Sequence, residues 1–173
     1  LAKAERAHHT RARAEGQGFH DMSDDSTTHE AWIGLPPMAA FRLFTDGFDR
    51  WWPREYTWGG AACVEIGMEP GLGGACREIG PHGFRCDWGR ITLWEPPRRL
   101  RFTWQIAPDR APQPDPAFAS EVEVVFEAQG ARTRVVLTHA GMARHGEGWE
   151  AVREGMGSPQ GWPLLLGRYV ALV

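Results

Sequence analysis

From residue 99 to residue 140, apolar and polar side chains alternate with a period of two. Leu100, Phe102 and Trp104 oppose Arg99, Arg101 and Thr103; Val122, Val124 and Phe126 oppose Glu121, Glu123 and Glu127; Thr133, Val135, Leu137 and His139 oppose Arg132 and Arg134. Successive side chains of a strand point to opposite faces, so the pattern demands a sheet with one dry face and one wet face. That is the mark of an antiparallel meander, not of a parallel sheet buried on both sides. The acidic residues of 121–127 then lie across from Arg132 and Arg134 as cross-strand partners. Glycine and proline punctuation extends the meander upstream and predicts strands over 61–68, 73–79, 83–94, 99–107, 119–128 and 132–140.

A dry face has to be covered, and the C-terminal segment supplies the cover. A helical tract starts near Glu147, is interrupted around Gly155-Met156-Gly157, and restarts at Ser158-Pro159, where serine can cap and proline fits the first turn. Trp162, Leu165, Leu166, Tyr169 and Leu172 then form one apolar stripe at spacings of three and four. Ahead of the meander, a strand over 28–33 leads into Pro36-Pro37 and a helix carrying Met38, Phe41, Leu43 and Phe44. A second short helical segment over 46–51 ends at Trp52-Pro53. The expected fold is α+β of the helix-grip kind: a curved antiparallel sheet wrapped around a long C-terminal helix, with two short helices after the first strand. The stretch from Pro108 to Pro116 holds four prolines in nine residues and reads as a rigid loop between two strands, able to act as a lid.

Residues 27–173 are enough for a single domain with a substantial core. Residues 1–26 are polar, with Phe19 and Met22 the large apolar exceptions. They read as a disordered tail or as sequence carried over from cloning or upstream, with room for a short helix over 2–14. His8 and His9 read as solvated tail residues. A net charge of −3 provides no basic field for nucleic acid. No apolar run reaches the roughly 20 residues that span a bilayer, and the first residues lack a secretory apolar core, so no membrane partner is expected and the expected location is cytoplasmic. Cys63, Cys76 and Cys86 are an odd number at unmatched spacings, without a histidine pair to complete a zinc site. They read as reduced structural thiols, and neither metal nor cofactor is expected.

Five motifs in order go further than the pattern. They are Trp51-Trp52-Pro53; Gly89-Arg90-Ile91 running through Trp94-Glu95-Pro96-Pro97-Arg98-Arg99-Leu100-Arg101-Phe102-Thr103-Trp104; the 121–126 strand; Thr133-Arg134-Val135-Val136-Leu137-Thr138-His139-Ala140-Gly141; and Gly161-Trp162. Over about 28–173 the chain resembles the START and birch-pollen-allergen-like superfamily (SRPBCC), in the branch named for activators of the heat-shock-protein-90 ATPase. The resemblance implies the helix-grip fold and leaves the ligand open. Members like the eukaryotic co-chaperone carry a separate N-terminal domain for which residues 1–26 are too short. Stand-alone bacterial members resemble small-molecule carriers, sequestration or resistance proteins, and partners of transcriptional regulators.

Nine tryptophans are either core filler or the lining of a cavity between sheet and helix. The expected lining is Trp58, Met68, Trp88, Phe102, Trp104, Met142, Trp162, Leu166 and Tyr169, with His139 at the mouth as a proton carrier, a ligand contact or a structural donor. No converging catalytic set can be assembled: there is no Gly-x-Ser-x-Gly elbow, Gly71-Leu72-Gly73-Gly74 reads as a hairpin turn, and Glu65, Glu69, Arg77, Arg85 and Asp87 read as a solvated edge. The leading expectation is therefore non-enzymatic binding of a hydrophobic or aromatic small molecule. The alternatives are a cyclase- or hydrolase-type enzyme using His139 in the same cavity, and a co-chaperone-like or regulator-partner module docking through an exposed Trp51-Trp52-Pro53 patch. An edge strand or the arginine face also offers a homodimer contact.

Overall fold

The computed structural model describes residues 25–173. The expectations for the tail, including the helix over 2–14, lie outside them. Seven strands form one antiparallel sheet: β1 (Thr27–Ile33), β2 (Glu65–Met68), β3 (Ala75–Ile79), β4 (Arg85–Glu95), β5 (Arg99–Trp104), β6 (Ser120–Gln129) and β7 (Arg132–Ala140). Their spatial order is β1-β7-β6-β5-β4-β3-β2, so the first strand closes one edge beside the last. Between β1 and β2 lie helices α1 (Pro37–Thr45) and α2 (Phe48–Trp51), and the chain ends in α3 (Trp149–Gly157) and α4 (Trp162–Val170). This is the helix-grip arrangement that the alternation requires.

Every second residue of β5 and β7, and of β6 as far as Phe126, is buried, as the period of two demands. The outer face carries ion pairs at the cross-strand positions: Arg101 with Glu123 (2.6 Å), and Arg134 with both Glu127 (3.0 Å) and Glu30 (2.6 Å). Around β3, Arg77 and Arg85 bridge Glu65, Glu69 and Asp87 in a solvated network. Exposed pairs of this kind contribute little each, about 0–1 kcal/mol, and their main effect is to keep the outer face wet. On the inner face, Phe41 and Phe44 of α1 pack against Phe126, and Tyr169 of α4 packs against Phe44 and donates its hydroxyl hydrogen to the Ala40 carbonyl at 2.7 Å.

Curvature enters at Gly89. A Cβ placed there would sit 2.3 Å from the Thr103 carbonyl oxygen, so only glycine lets β5 approach β4 this closely. The β3–β4 register shifts between Cys76 and Arg77 and the β4–β5 register between Ile91 and Leu93, which bends β4 between its two partners.

Several boundaries differ from expectation. The strand predicted from residue 61 starts only at Glu65, because the chain before it turns inward: the buried Glu78 carboxylate accepts hydrogen bonds from the backbone N–H groups of Trp58 (3.0 Å) and Gly59 (2.8 Å). The strand predicted to 107 ends at Trp104, after which Ile106 makes a single bridge to Pro112. The long terminal helix is two nine-residue segments. Ser158 does not start the second one; its hydroxyl donates to the Gly155 carbonyl (2.7 Å) and closes α3, while α4 opens at Trp162 with Pro163 in its first turn. At the joint, a Cβ on Gly161 would fall 2.3 Å from the Met156 carbonyl oxygen, so the close approach of α4 to the end of α3 requires glycine. The Gly71–Gly74 segment is the β2–β3 turn that its glycines suggested.

Candidate functional site

Because Pro53 stops α2, Trp52 leaves the helix in extended conformation with its indole turned inward. That ring stacks on Phe48 (centroids 5.0 Å apart, 18° between planes) and lies nearly parallel to Trp88 of β4 (6.3 Å, 20°). Trp104, at the end of β5, meets Trp88 edge-on at 5.8 Å. These three indoles, with Ile66, Ile106 and Leu165, wall a cavity of about 350 Å³ between the sheet, α2 and the α3–α4 joint. The volume lies at the lower end of the range of small-molecule sites, and an apolar lining with few polar groups is what such sites have. Asp49 fixes one side of this frame. It binds Arg54 through both carboxylate oxygens (2.7 and 3.1 Å) and accepts from the Ile66 N–H (2.9 Å). Burial alone would raise its pKa, but these hydrogen bonds hold the carboxyl below its usual range.

The mouth is built from three loops tied to one another. The half-exposed Trp58 donates its indole hydrogen to the Arg110 carbonyl in the proline-rich loop (2.8 Å), while its own backbone is held by Glu78. Tyr56 donates to the Gln160 carbonyl at the α3–α4 joint (2.8 Å). Pro108, Val152 and Met156 complete the rim. Both ties are solvent-accessible hydrogen bonds, each worth on the order of 1 kcal/mol or less, so the loops around the mouth are only lightly held.

Behind the cavity wall runs a buried polar chain. Trp104 rests on the His139 ring (5.3 Å) and on Trp162 (5.7 Å). The Trp162 indole, a donor only, gives its hydrogen to His139 Nδ1 (3.2 Å). His139 Nε2 must then carry the proton and donate to Ser120 Oγ (2.7 Å), whose own hydrogen goes to His145 Nε2 (2.7 Å). Burial pushes His139 down to about 3, with His145 nearby adding to the effect, so the ring is neutral at ordinary pH. Burial also lowers His145, against the pull of the Phe118 backbone.

Of the expected lining, Trp58, Trp88 and Trp104 face the cavity. Met68, Phe102, Met142, Leu166 and Tyr169 are buried in the core around it and do not line it. Trp162 and His139 form the layer behind Trp104, so His139 holds the wall in place and does not reach the mouth. Trp51-Trp52-Pro53 is not an exposed patch: Trp51 is fully buried and donates to the Phe44 carbonyl (3.3 Å), Pro53 is buried too, and Trp52 is a cavity wall. Sequence reasoning missed Trp52, Ile66, Ile106 and Leu165. Only the proline after Trp52 hinted at its turn inward.

Among the described residues the cysteines are free, no group of three His, Cys, Asp or Glu side chains could hold a metal ion, and no helix is long and apolar enough to cross a membrane.

Comparison with known proteins places this geometry. The chain matches the family described as activator of Hsp90 ATPase homolog 1-like protein over residues 34–168. Among solved structures it is similar to an anthrahydroquino-gamma-pyrone synthase, Txn09, complexed with SUM, at 31% identity and a TM-score of 0.62, covering 86% of this chain and 96% of that one. It is also similar to CalC, a self-sacrificing resistance protein from Micromonospora echinospora, at 27% identity and a TM-score of 0.57, covering 86% and 94%. A protein from Nitrosomonas europaea, at 15% identity and a TM-score of 0.62 over 87% and 94%, shares the fold alone. No curated protein matches the chain.

Proposed function

Because the chain belongs to the activator of Hsp90 ATPase homolog 1-like family, we propose that it binds a hydrophobic or aromatic small molecule between its sheet and its C-terminal helices. The observation that carries this reading is the cavity of about 350 Å³ walled by Trp52, Trp88 and Trp104. Indole walls offer flat apolar surface to a flat ligand, and burying such a ligand releases water from both. A rim held by two weak ties admits a ligand without unfolding the frame. Txn09 and CalC, a synthase and a resistance protein on the same frame, support the small-molecule reading.

The test is a titration of the purified protein with a panel of polycyclic aromatics, aliphatic acids and sterol-like compounds, read by intrinsic tryptophan fluorescence. Saturable quenching by the aromatics supports the reading; no response to any class refutes it.

A second reading is favoured by the 31% identity to a synthase: the same cavity shapes a reactive aromatic precursor and speeds its ring closure. His139 is neutral and shielded by Trp104, so catalysis here would rest on orientation and exclusion of water, not on that histidine as base. A candidate precursor converted faster by the protein than in buffer, with His139→Asn still active, would support this second reading.

A further inference from the structure

Charge enters the cavity lining only at its mouth. Trp52, Ile66, Trp88, Trp104 and Leu165 are buried and form the inner wall, whereas the two charged side chains of the lining, Glu55 and Arg110, are solvent-exposed. Arg110 stands apart from the other arginines in its backbone. Its φ is 69°, and His82 is the other non-glycine residue of the described chain with a positive φ. Glycine takes this conformation freely, and a larger side chain is strained in it. The strained residue is nevertheless fixed on both sides: its N–H donates to the Ala107 carbonyl (2.8 Å) and its carbonyl accepts from the Trp58 indole (2.8 Å). Its guanidinium, in contrast, has no ion pair and no hydrogen bond among the described residues. Asp109 beside it turns its carboxylate to the Ala111 N–H instead (3.0 Å).

We propose that Arg110 anchors the carboxylate of an aromatic acid whose ring system lies inside, against the indoles. This rests on the binding reading above and narrows it to a chemical class. A glycine at position 110 would make the same turn without strain, so the arginine is there for its side chain, which stands unpaired at the edge of the cavity. The planar guanidinium matches a carboxylate with two parallel hydrogen bonds, a geometry that an ammonium lacks. Held at the mouth, the ligand's charge stays partly hydrated. Pushed inward among Trp52, Trp88 and Trp104 it would lose its water and meet no cation. Glu55, the one acidic side chain of the lining, sits in ordinary backbone geometry in the single turn Arg54–Tyr56, so no strain singles it out and the preferred ligand is an anion, not a cation.

The probes are 2-naphthoate, its uncharged isostere 2-naphthamide and the cation 2-naphthylmethylammonium, titrated by isothermal calorimetry into the whole protein and into Arg110→Gln and Arg110→Gly. The expected result is a preference for naphthoate over naphthamide of about three- to tenfold at low salt, shrinking as salt rises from about 20 to about 500 mM. That salt dependence is read on the unsubstituted protein, where no folding defect can enter. Both substitutions should bring the ratio to about one or below while naphthamide still binds. Arg110→Gly should also melt at or above the temperature of the natural protein, because it relieves the strained backbone. An equal or reversed preference, a preference indifferent to salt, a ratio that survives either substitution, or tighter binding of the ammonium overturns the anchor and leaves the binding reading intact. An Arg110→Gly protein that melts below the natural one gives the side chain a structural role and overturns the anchor too. Binding of none of the three probes while other aromatics of the panel bind has the same meaning. No binding by any aromatic overturns the binding reading itself, and the anchor with it.

Discussion

Acidification should unfold this protein through His139 before most of its carboxylates titrate. The ring is fully buried, accepts from Trp162, donates to Ser120, and has its pKa lowered from 6.5 to about 3. The unfolded chain, whose histidine titrates near 6.5, therefore takes up the proton first, and stability falls as pH drops below 6.5 toward 3. At about 1.4 kcal/mol per pH unit, the step from 6.5 to 5 removes about 2 kcal/mol, a sizeable fraction of the stability of a small domain. The assay is urea unfolding at pH 7.5, 6 and 5 on the protein and on His139→Asn, which does not titrate in this range. His29, also lowered by burial, and carboxylates such as Asp49 titrate in both proteins and drop out of the difference, while His145, joined to His139 through Ser120, is controlled for by repeating the pair with His145→Asn in both. The natural protein should lose about 2 kcal/mol more than the variant between pH 7.5 and 5. If the two lose stability in parallel, or if the His139 ring resonance titrates in the folded state above pH 5, the buried neutral relay is wrong.

The other predictions concern the frame and the rim. Gly89→Ala, whose Cβ would overlap the Thr103 carbonyl, should cost about 1–3 kcal/mol and lower the melting temperature without changing the far-ultraviolet spectrum. Glu78→Ala should cost a similar amount and raise hydrogen exchange at the Trp58 and Gly59 amides, because both lose their acceptor. Tyr56→Phe removes one tie across the mouth; stability should change by less than about 1 kcal/mol while ligand release, followed by stopped flow, becomes faster. Tyr169→Phe removes the second hydrogen bond to the Ala40 carbonyl, which keeps its place in the α1 helix ladder, and should destabilise by about 0.5–1.5 kcal/mol in urea unfolding.

Much of the fold was legible because a period-two pattern specifies which face each side chain takes. Leu100, Phe102, Val122, Val124, Val135 and Leu137 are buried where the alternation puts them, and Arg101, Glu123 and Arg134 pair on the other face. The cavity was less legible, because alternation sets the face of a side chain but not its depth under the helices. Phe102 and Trp104 are two residues apart on the same face of β5, yet only Trp104 meets the cavity. On α4, Leu165 faces the cavity while its neighbour Leu166 turns into the core, a difference set by the Gly161 joint that local periodicity does not encode. Trp52 was misread because a tryptophan pair before a proline looks the same in sequence whether the chain turns out or in. The Asp49 and Glu78 anchors that draw the flanking segments inward are long-range contacts. His139 was correctly read as inward-pointing, but its hydrogen bond to Trp162 and its place behind Trp104 depend on how α4 docks.

The most direct test is a ¹H–¹⁵N spectrum of the nine indole N–H groups during titration with 9-fluorenone. Binding in the cavity predicts large shifts for Trp52, Trp88 and Trp104, a smaller one for Trp58 at the rim, and little movement of Trp51, which is already hydrogen-bonded within the core. Shifts confined to the surface indoles Trp32 and Trp149, or no shifts at ligand excess for fluorenone and every other aromatic tried, would contradict a ligand site between the sheet and the C-terminal helices.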